Sequence, residues 1–333
     1  MKKVSLIIAI ISFVNITVAQ DVHFSNLTGA SMYNNIASAG AMDATLRNSI
    51  HYRSQWGNIG SSFRTYSLAS DFKLELENTN DGALGLGLIV LKDQQGELNL
   101  NKLQAKVSVA YHQQVSDNSF LSGGIQLGMT QHSIDGSKAE WHNQFNGVEH
   151  DASLPSNEQP LFGSFLTFDV GAGLLWRYDT KSSNRFTDIP FSTVNLGVSI
   201  YQITGSSVKY NANEPDRMKF VAFGNTAFYI KDQVMELEPS FLYQLKGTEQ
   251  ELVFGLLFRR IFIEPSYYTG YYKRFDLAFG AYYRIPNDAI IPAVQMNYDS
   301  FGLGLSYDIN ISKLTQASNY QGGLEVFLNY LLR

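Results

Sequence analysis

The sequence predicts an all-β protein, a transmembrane antiparallel β-barrel of the outer-membrane type with about 14 strands. Three observations lead there. Strict alternation of apolar residues with polar residues or glycine runs from about residue 46 to the end of the chain. Side chains alternate across a strand, so each such segment has one apolar face and one polar face. The segments are also long, commonly about 10–14 residues, where soluble strands average ~5–6 and a tilted strand needs ~9–11 to cross a bilayer. Finally, aromatic residues gather near segment ends: Tyr52 with Trp56, Trp176 with Tyr178, Tyr267 with Tyr268, Tyr271 with Tyr272, and Tyr282 with Tyr283. Girdles of Tyr and Trp are expected at both rims of a membrane barrel. A secreted soluble all-β protein is the competing architecture, and the strand length argues against it.

Composition fits this reading. Of 333 residues, 44% are hydrophobic and only 17% are charged, below the ~25% of an average soluble domain. Mean hydropathy nevertheless stays close to zero. A helical membrane protein would be far more apolar. In a barrel only every second strand residue meets lipid, which reconciles the two values. The 22 Phe and 19 Tyr supply too much buryable surface for a disordered chain. With no cysteine there is no disulfide framework, thiolate metal site or catalytic thiol. A net charge of −5 argues against general nucleic-acid binding, so no nucleic-acid partner is expected.

The elements follow in order. Lys2 and Lys3 precede an apolar run from Val4 to Phe13, and Thr17 and Ala19 stand at −3 and −1 of a cut before Gln20. This is the pattern of a secretory signal over residues 1–19, and the run is too short for a membrane-spanning helix. Residues 20–45 are poor in charge and rich in Asn, Ala and Met; they are expected to form a periplasmic extension or a partial plug. Residues 46–333 are expected to form the barrel. Leu103, Ala105, Val107, Val109 and Tyr111 make one apolar row. Leu166, Phe168, Val170, Ala172, Leu174 and Trp176 make a second, and Val194, Leu196, Val198 and Ile200 a third. Phe301, Leu303, Leu305, Tyr307 and Ile309 make a fourth, opposed by Gly302, Gly304, Ser306, Asp308 and Asn310.

The alternation rule marks about fifteen segments, whereas single-chain bacterial barrels have an even number. The stretch Glu251–Tyr268 is the ambiguous one: Arg259-Arg260 reads either as a turn or as part of one long strand, and Pro265 disfavours a regular strand at its end. The expectation is therefore 14 strands, within a range of about 12–16. The closing segment carries Leu324, Val326, Leu328 and Tyr330 on one face.

Connections are expected to alternate between short periplasmic turns and longer outer loops. Ser116–Asn118, Lys231–Gln233 and Pro286–Asp288 read as the short ones. The longest connection, about Ser133 to Phe162, is placed outside the cell by counting from a periplasmic N-terminus. It carries Trp141, His142, Phe145, Glu149, His150 and Asp151, the candidate partner-binding residues. Long loops on a rigid scaffold commonly carry binding, and Trp is enriched at binding hot spots.

Chemistry beyond binding has little support. His142 and His150 with the loop acids are proper metal ligands, yet no H-E-x-x-H or similar spacing is present. A hydrolase needs a nucleophile, a base and an orienting acid. Candidates such as His51, His112, Asp71 and many serines exist, but no G-x-S-x-G elbow does. No enzymatic activity, cofactor or metal is expected. Asp169, Arg177, Lys219, Asp308 and Glu325 fall on polar strand faces. An Arg or Lys facing lipid at mid-bilayer costs about 2–4 kcal/mol, so these charges are expected to face the lumen and pair there.

Several local patterns together resemble one family. Asp21-Val22-His23-Phe24-Ser25 is followed by Asn34–Gly40, Tyr52-Arg53-Ser54-Gln55-Trp56 and Tyr66–Asp71. Then come Leu84–Gly87, Ser108–His112, Glu238-Pro239-Ser240 and the run Gly304–Leu314, which holds Tyr307, Asp308, Ser312 and Leu314; Gly322–Glu325 opens the last strand. In this order they resemble the PorP/SprF family of type IX secretion system membrane proteins, over nearly the whole mature chain. The resemblance implies an outer-membrane barrel without enzymatic activity that works with type IX translocon components, in export linked to gliding motility. It further implies a dedicated partner: a secreted, adhesin-like surface protein with a C-terminal targeting domain, which the barrel binds and helps to export or anchors at the cell surface. An outer-membrane channel for small molecules, hydrophobic ones included, is the alternative function. Outer-membrane lipid is an expected partner in either case.

Overall fold

The computed structural model describes residues 24–55, 57, 63–76, 82–96, 100–134, 140–151, 153–155, 163–180, 192–205, 217–230, 234–263, 273–286, 289–311 and 320–332. The alternating segments become fourteen antiparallel strands among these residues. They are β1 (Leu46–Gln55), β2 (Phe63–Glu75), β3 (Gly82–Gln95), β4 (Leu100–Ser116), β5 (Ser119–Ile134), β6 (Gly163–Asp179) and β7 (Ser192–Tyr201). The second half comprises β8 (Lys219–Ile230), β9 (Met235–Lys246), β10 (Glu249–Ile263), β11 (Phe275–Ile285), β12 (Ala289–Tyr298), β13 (Phe301–Asn310) and β14 (Gln321–Leu332). Each pairs with its neighbours in sequence, and β1 pairs with β14 from Leu46↔Leu332 to Gln55↔Gly323. The sheet therefore closes, and no edge is left to recruit another strand.

Arg259 and Arg260 lie inside β10, which pairs without interruption with β9 across both residues. The described part of the ambiguous stretch, Glu251–Ile263, is one strand, and fourteen strands are counted among the described residues. Pro265 and the aromatics Tyr267, Tyr268, Tyr271 and Tyr272 lie outside the described residues, as do the signal segment and His23.

Alternation sets the two faces. Leu303, Leu305 and Tyr307 of β13 point outward and are exposed, while Gly304, Ser306 and Asp308 point inward and are buried. The rows starting at Leu103, Leu166 and Val194 likewise point outward. Even-numbered connections lie at the end where β1 begins and β14 ends. Tight turns there include Asp117–Asn118 and Asp299–Ser300, the latter with Asp299 in the left-handed region at φ 54°. The turn at Pro286 departs from expectation. It joins β11 to β12, and strand parity puts it at the same end as the long 135–162 connection. The tight Gly247–Thr248 turn lies there too, with Gly247 at φ 62°, a conformation glycine adopts without strain. Shortness alone therefore does not mark an end of this barrel.

The lumen is filled from within. Residues 24–43 descend through it, with Ser25 at the long-loop end and Asp43 at the end where β1 begins. They contain one turn of helix, α1 (Ser31–Asn34), and a 3-10 turn, Ile36–Ser38. Leu27, Ile36 and Ala37 pack against inward residues of β6 and β8–β12, among them Leu175, Val221, Phe223, Leu257, Tyr282 and Ile291. Burying a side chain such as Ile36 contributes about 1.5–3 kcal/mol. The opposite wall, β1–β5, is mixed: Ser49, Thr65, Ser67, Gln104, Ser108 and Gln126 are buried there, and Ala69, Ile89, Leu91 and Ala110 pack against Phe24, Ala30, Met32 and Ala39 of the same segment.

Candidate functional site: a plug in the lumen and a loop above it

The top of the plug is held by a four-charge cluster. The Glu325 carboxylate accepts hydrogen bonds from the backbone N–H of Ser25 at 2.9 and 3.0 Å and of Asn26 at 3.2 Å. The Ser25 hydroxyl lies 3.1 Å from Asp308 Oδ1, and Arg284 Nη1 donates to it at 3.0 Å. Arg53 bridges Asp308 at 3.3 Å and Glu325 at 3.2 Å, and Arg284 meets Asp308 at 2.7 Å. All five side chains are buried. Two carboxylates against two guanidiniums leave the cluster neutral, which is how buried charge becomes tolerable. Residues about 300 apart in sequence thereby converge: the Phe24-Ser25, Arg53 and Asp308 motifs occupy one place.

Lower down, the plug is clasped through its backbone. Asn35 donates from Nδ2 to the carbonyls of Leu174 at 2.9 Å and Val198 at 3.1 Å, and its Oδ1 caps the 3-10 turn by accepting from Ala37 N at 2.7 Å. Asp71 accepts from Gly40 N at 2.8 Å and holds Arg47 by a two-point contact at 2.9 and 2.7 Å. His112 Nε2 donates to the Ala39 carbonyl at 2.8 Å, which can only accept; in a neutral ring Nδ1 then accepts a hydrogen bond from the Ser122 hydroxyl, 2.7 Å away. A β-carbon added at Gly85 would stand 1.9 Å from the Ala39 carbonyl oxygen, so the wall is glycine where the plug backbone touches it. At the lower mouth Arg177 joins Asp43 of the plug, at 2.8 Å, to Asp179, at 2.6 Å. A cavity of about 450 Å³ opens beside it, lined in part by Lys73, His112, Ser122 and Arg177.

A second charge network stiffens the wall of β9–β12. Arg259 contacts Glu238, Asp276 (2.6 Å) and Glu236 (3.7 Å), and donates to Gln295 at 3.0 Å. Arg274 meets Asp276 at 2.6 Å and Glu236 at 3.2 Å. Gln295 in turn donates to Thr28 of the plug at 2.8 Å.

Of the charges expected in the lumen, Arg177, Asp308 and Glu325 face inward and are paired. His112 and Asp71 do not form a hydrolytic array: Asp71 holds Arg47 and Gly40, and the second nitrogen of His112 meets a backbone carbonyl. Tyr52 faces outward, 5.2 Å from the Tyr66 ring, and Tyr307 faces outward on β13. Gln55 ends β1, while Trp56, Ser312 and Leu314 lie outside the described residues. Asn35 lies within the Asn34–Gly40 motif, whereas the roles of Arg259 and Arg284 carry no motif signal.

The candidate partner-binding residues share one exposed loop at the far end. A 3-10 turn, His142–Gln144, leads to a bridge between Phe145 and His150. The Asn146 side chain accepts from Val148 N and Glu149 N at 2.9 Å each, and Asp151 N donates to the Gln144 carbonyl at 2.7 Å. The Ser153 hydroxyl and N–H hold the Asp151 carboxyl below the usual carboxylate range. Phe145 is 53% exposed and Val148 87%. The loop thus folds on itself and presents an apolar tip. Among the described residues no three His, Asp or Glu side chains gather as a metal-ligand set.

A family model described as "Type IX secretion system membrane protein PorP/SprF" matches residues 16–330. The chain belongs to the PorP/SprF family. This PorP/SprF protein folds as a β-barrel of the outer-membrane type. No curated protein matched it. Among solved structures it is similar to BamA from Haemophilus ducreyi lacking POTRA domains 1–3, with 10% identity, TM-score 0.47, and 86% of this chain and 70% of that chain covered. It is also similar to a Pseudomonas aeruginosa FadL homologue, with 9% identity, TM-score 0.46, and coverage of 92% and 94%. A third likeness is to the translocator domain of the autotransporter NalP from Neisseria meningitidis, with 9% identity, TM-score 0.34, and coverage of 91% and 94%.

Proposed function

We propose that this barrel binds a secreted, adhesin-like surface protein bearing a type IX C-terminal targeting domain, helping its export or holding it at the cell surface, and that it works by binding rather than by catalysis. The observation that carries this reading is the combination of a lumen occupied by the chain's own residues 24–43 with a self-folded loop that exposes Phe145 and Val148 at one end. A diffusion channel gains nothing from such a plug, whereas a docking platform gains rigidity. Trp141, His142, Phe145, Glu149, His150 and Asp151 are the proposed contact residues, with the long-loop end facing outward. Type IX translocon components are the proposed neighbours in the membrane, and gliding motility a process served by the cargo. An N-terminal secretory signal is the proposed route to the outer membrane. Deleting Gly136–Asn157 tests this: the barrel should still fold and remain heat-modifiable, while the partner is lost from the cell surface. Normal partner retention would rule out this loop.

A further inference from the structure

Two strands of the wall carry a proline in mid-strand, Pro239 on β9 and Pro292 on β12. A proline has no N–H to give a ladder. β9 pairs without interruption with β10, through Leu256↔Pro239, so the missing donor falls on the β8 side. There the pairing runs to Asn225↔Ser240 and resumes only at Phe228↔Leu237, in the same register. The wall is therefore unlaced over two residue pairs, and the carbonyl opposite Pro239 on β8 lacks its ladder donor. At membrane depth such a group is tolerated where it lines a polar or water-filled cavity. Pro292 makes the same kind of break between β12 and β13, from Ile290↔Ile309 to Ala293↔Ser306.

The two breaks differ in what lies behind them. Behind Pro292, Ile291 and Asp308 fill the inner face and are 0% and 1% exposed. Behind Pro239 lies a chamber of about 250 Å³ between the plug and β7–β9, toward the end where β1 begins. Ser31 and Ser38 of the plug, Thr193 and Asn195 of β7 and Asn225 of β8 line it. So do Thr226 and Pro239, which strand alternation assigns to the outer face, so the chamber reaches the seam itself. The cations at its edge are committed, Arg47 to Asp71, and Arg259 to Glu238 and Asp276. What faces the space is hydroxyl and amide. On the outer wall the seam is flanked by Leu196, Phe228 and Leu256, all exposed. A polar chamber thus opens sideways onto an apolar surface. An amphiphile matches that order, with its polar end inside and its chains along the wall. At about 250 Å³ the chamber is smaller than the ~300–1,000 Å³ of ordinary ligand pockets, so it takes a headgroup and not the chains.

We propose that the β8–β9 seam is a lateral port through which this chamber takes the small, uncharged, hydroxyl-bearing headgroup of a membrane lipid. Pro239 keeps the port unlaced, which gives a role to the Glu238-Pro239-Ser240 string. The orientation proposed above makes the leaflet the periplasmic one; the port itself does not depend on it.

The test is native mass spectrometry of the barrel in an amine-oxide detergent, which carries no sugar, with monogalactosyl diacylglycerol as probe. Wild-type protein should retain one lipid. P239V restores the ladder donor, and S31A/T193V removes two hydroxyls from the chamber without touching the ladder; each should retain the lipid about tenfold less well. P292V, which relaces the break backed by Ile291 and Asp308, should match wild type. Phosphatidylcholine with the same chains has no headgroup hydroxyl and should bind wild type no better than it binds S31A/T193V. Equal retention of the galactolipid by wild type and P239V would overturn the proposal, and so would equal retention by wild type and S31A/T193V. Displacement of the lipid by free galactose at equal concentration would make the ligand a soluble saccharide and would overturn the lateral port. Heat-modifiability checks that each variant folds; should P239V not fold, S31A/T193V decides. Surface retention of the secreted partner should be unchanged in P239V, which separates this result from the docking function.

Discussion

Replacing Glu325 by alanine should free the upper part of the plug without unfolding the barrel. The carboxylate serves two backbone N–H groups, of Ser25 and Asn26, and the Arg53 guanidinium. Breaking a buried charge cluster by removing one member costs about 3–5 kcal/mol. Arg53 keeps Asp308 at 3.3 Å, so the lower figure of about 3 kcal/mol applies. The fourteen-strand ladder does not pass through this side chain, so the loss falls on the plug rather than on the wall. At 1.4 kcal/mol per factor of ten, the Ser25 and Asn26 amides should exchange with solvent about a hundredfold faster. Hydrogen exchange read by mass spectrometry on peptides covering residues 24–30 measures this, with strand peptides as internal reference. The Glu325→Gln variant keeps one acceptor oxygen and should fall between the two. If residues 24–30 exchange as in wild type while the Glu325→Ala barrel stays heat-modifiable, the cluster does not hold the plug and the reasoning is refuted.

Three further outcomes are expected. Gly85→Val places a side chain against the Ala39 carbonyl and should displace residues 39–42, raising their exchange while the exchange of β3 itself changes little. Arg259→Met leaves buried Glu238 without its cation and Asp276 with Arg274 alone, and should lower stability by about 3–5 kcal/mol, seen as a drop in the temperature at which heat-modifiability is lost. Leu305→Arg puts a cation at the middle of the outward face of β13 and should cost about 2–4 kcal/mol, read by denaturant unfolding in lipid vesicles; an Arg placed at Phe301, near the rim, should cost no more than about 1 kcal/mol.

The wall was legible because a barrel writes itself in period two. Rows such as Leu103–Tyr111 and Phe301–Ile309 emerge as outward faces, and the charges opposite them, such as Asp308 and Glu325, face inward and pair. The path of the plug was not legible. Residues 24–43 have no periodicity, since an irregular segment is held by point contacts such as Asn35 to two ladder carbonyls. One signal did exist. Glycines fall on polar faces at Gly85 and Gly124, where a β-carbon would meet Ala39 or Ala37. Glycine within a strand often marks another backbone in close approach, but sequence alone does not say which. The motifs of the family were visible as short strings, and the fold gives many of them a shared purpose: Ser25, Arg53, Asp71, His112 and Asp308 all fix the plug. The loop residues were legible as a group because they are adjacent in sequence; their mutual folding through Gln144 and Asn146 was not.

The central claim is that this barrel acts by holding a secreted partner at its loop end, with its own lumen occupied. Gentle detergent extraction of the tagged barrel from its native membrane, compared with the Gly136–Asn157 deletion, tests it most directly. A secreted protein with a type IX C-terminal targeting domain should leave the membrane with the intact barrel in stoichiometric amount and be absent from the deleted one. Recovery of the intact barrel alone, or equal recovery of that protein with both forms, would contradict it.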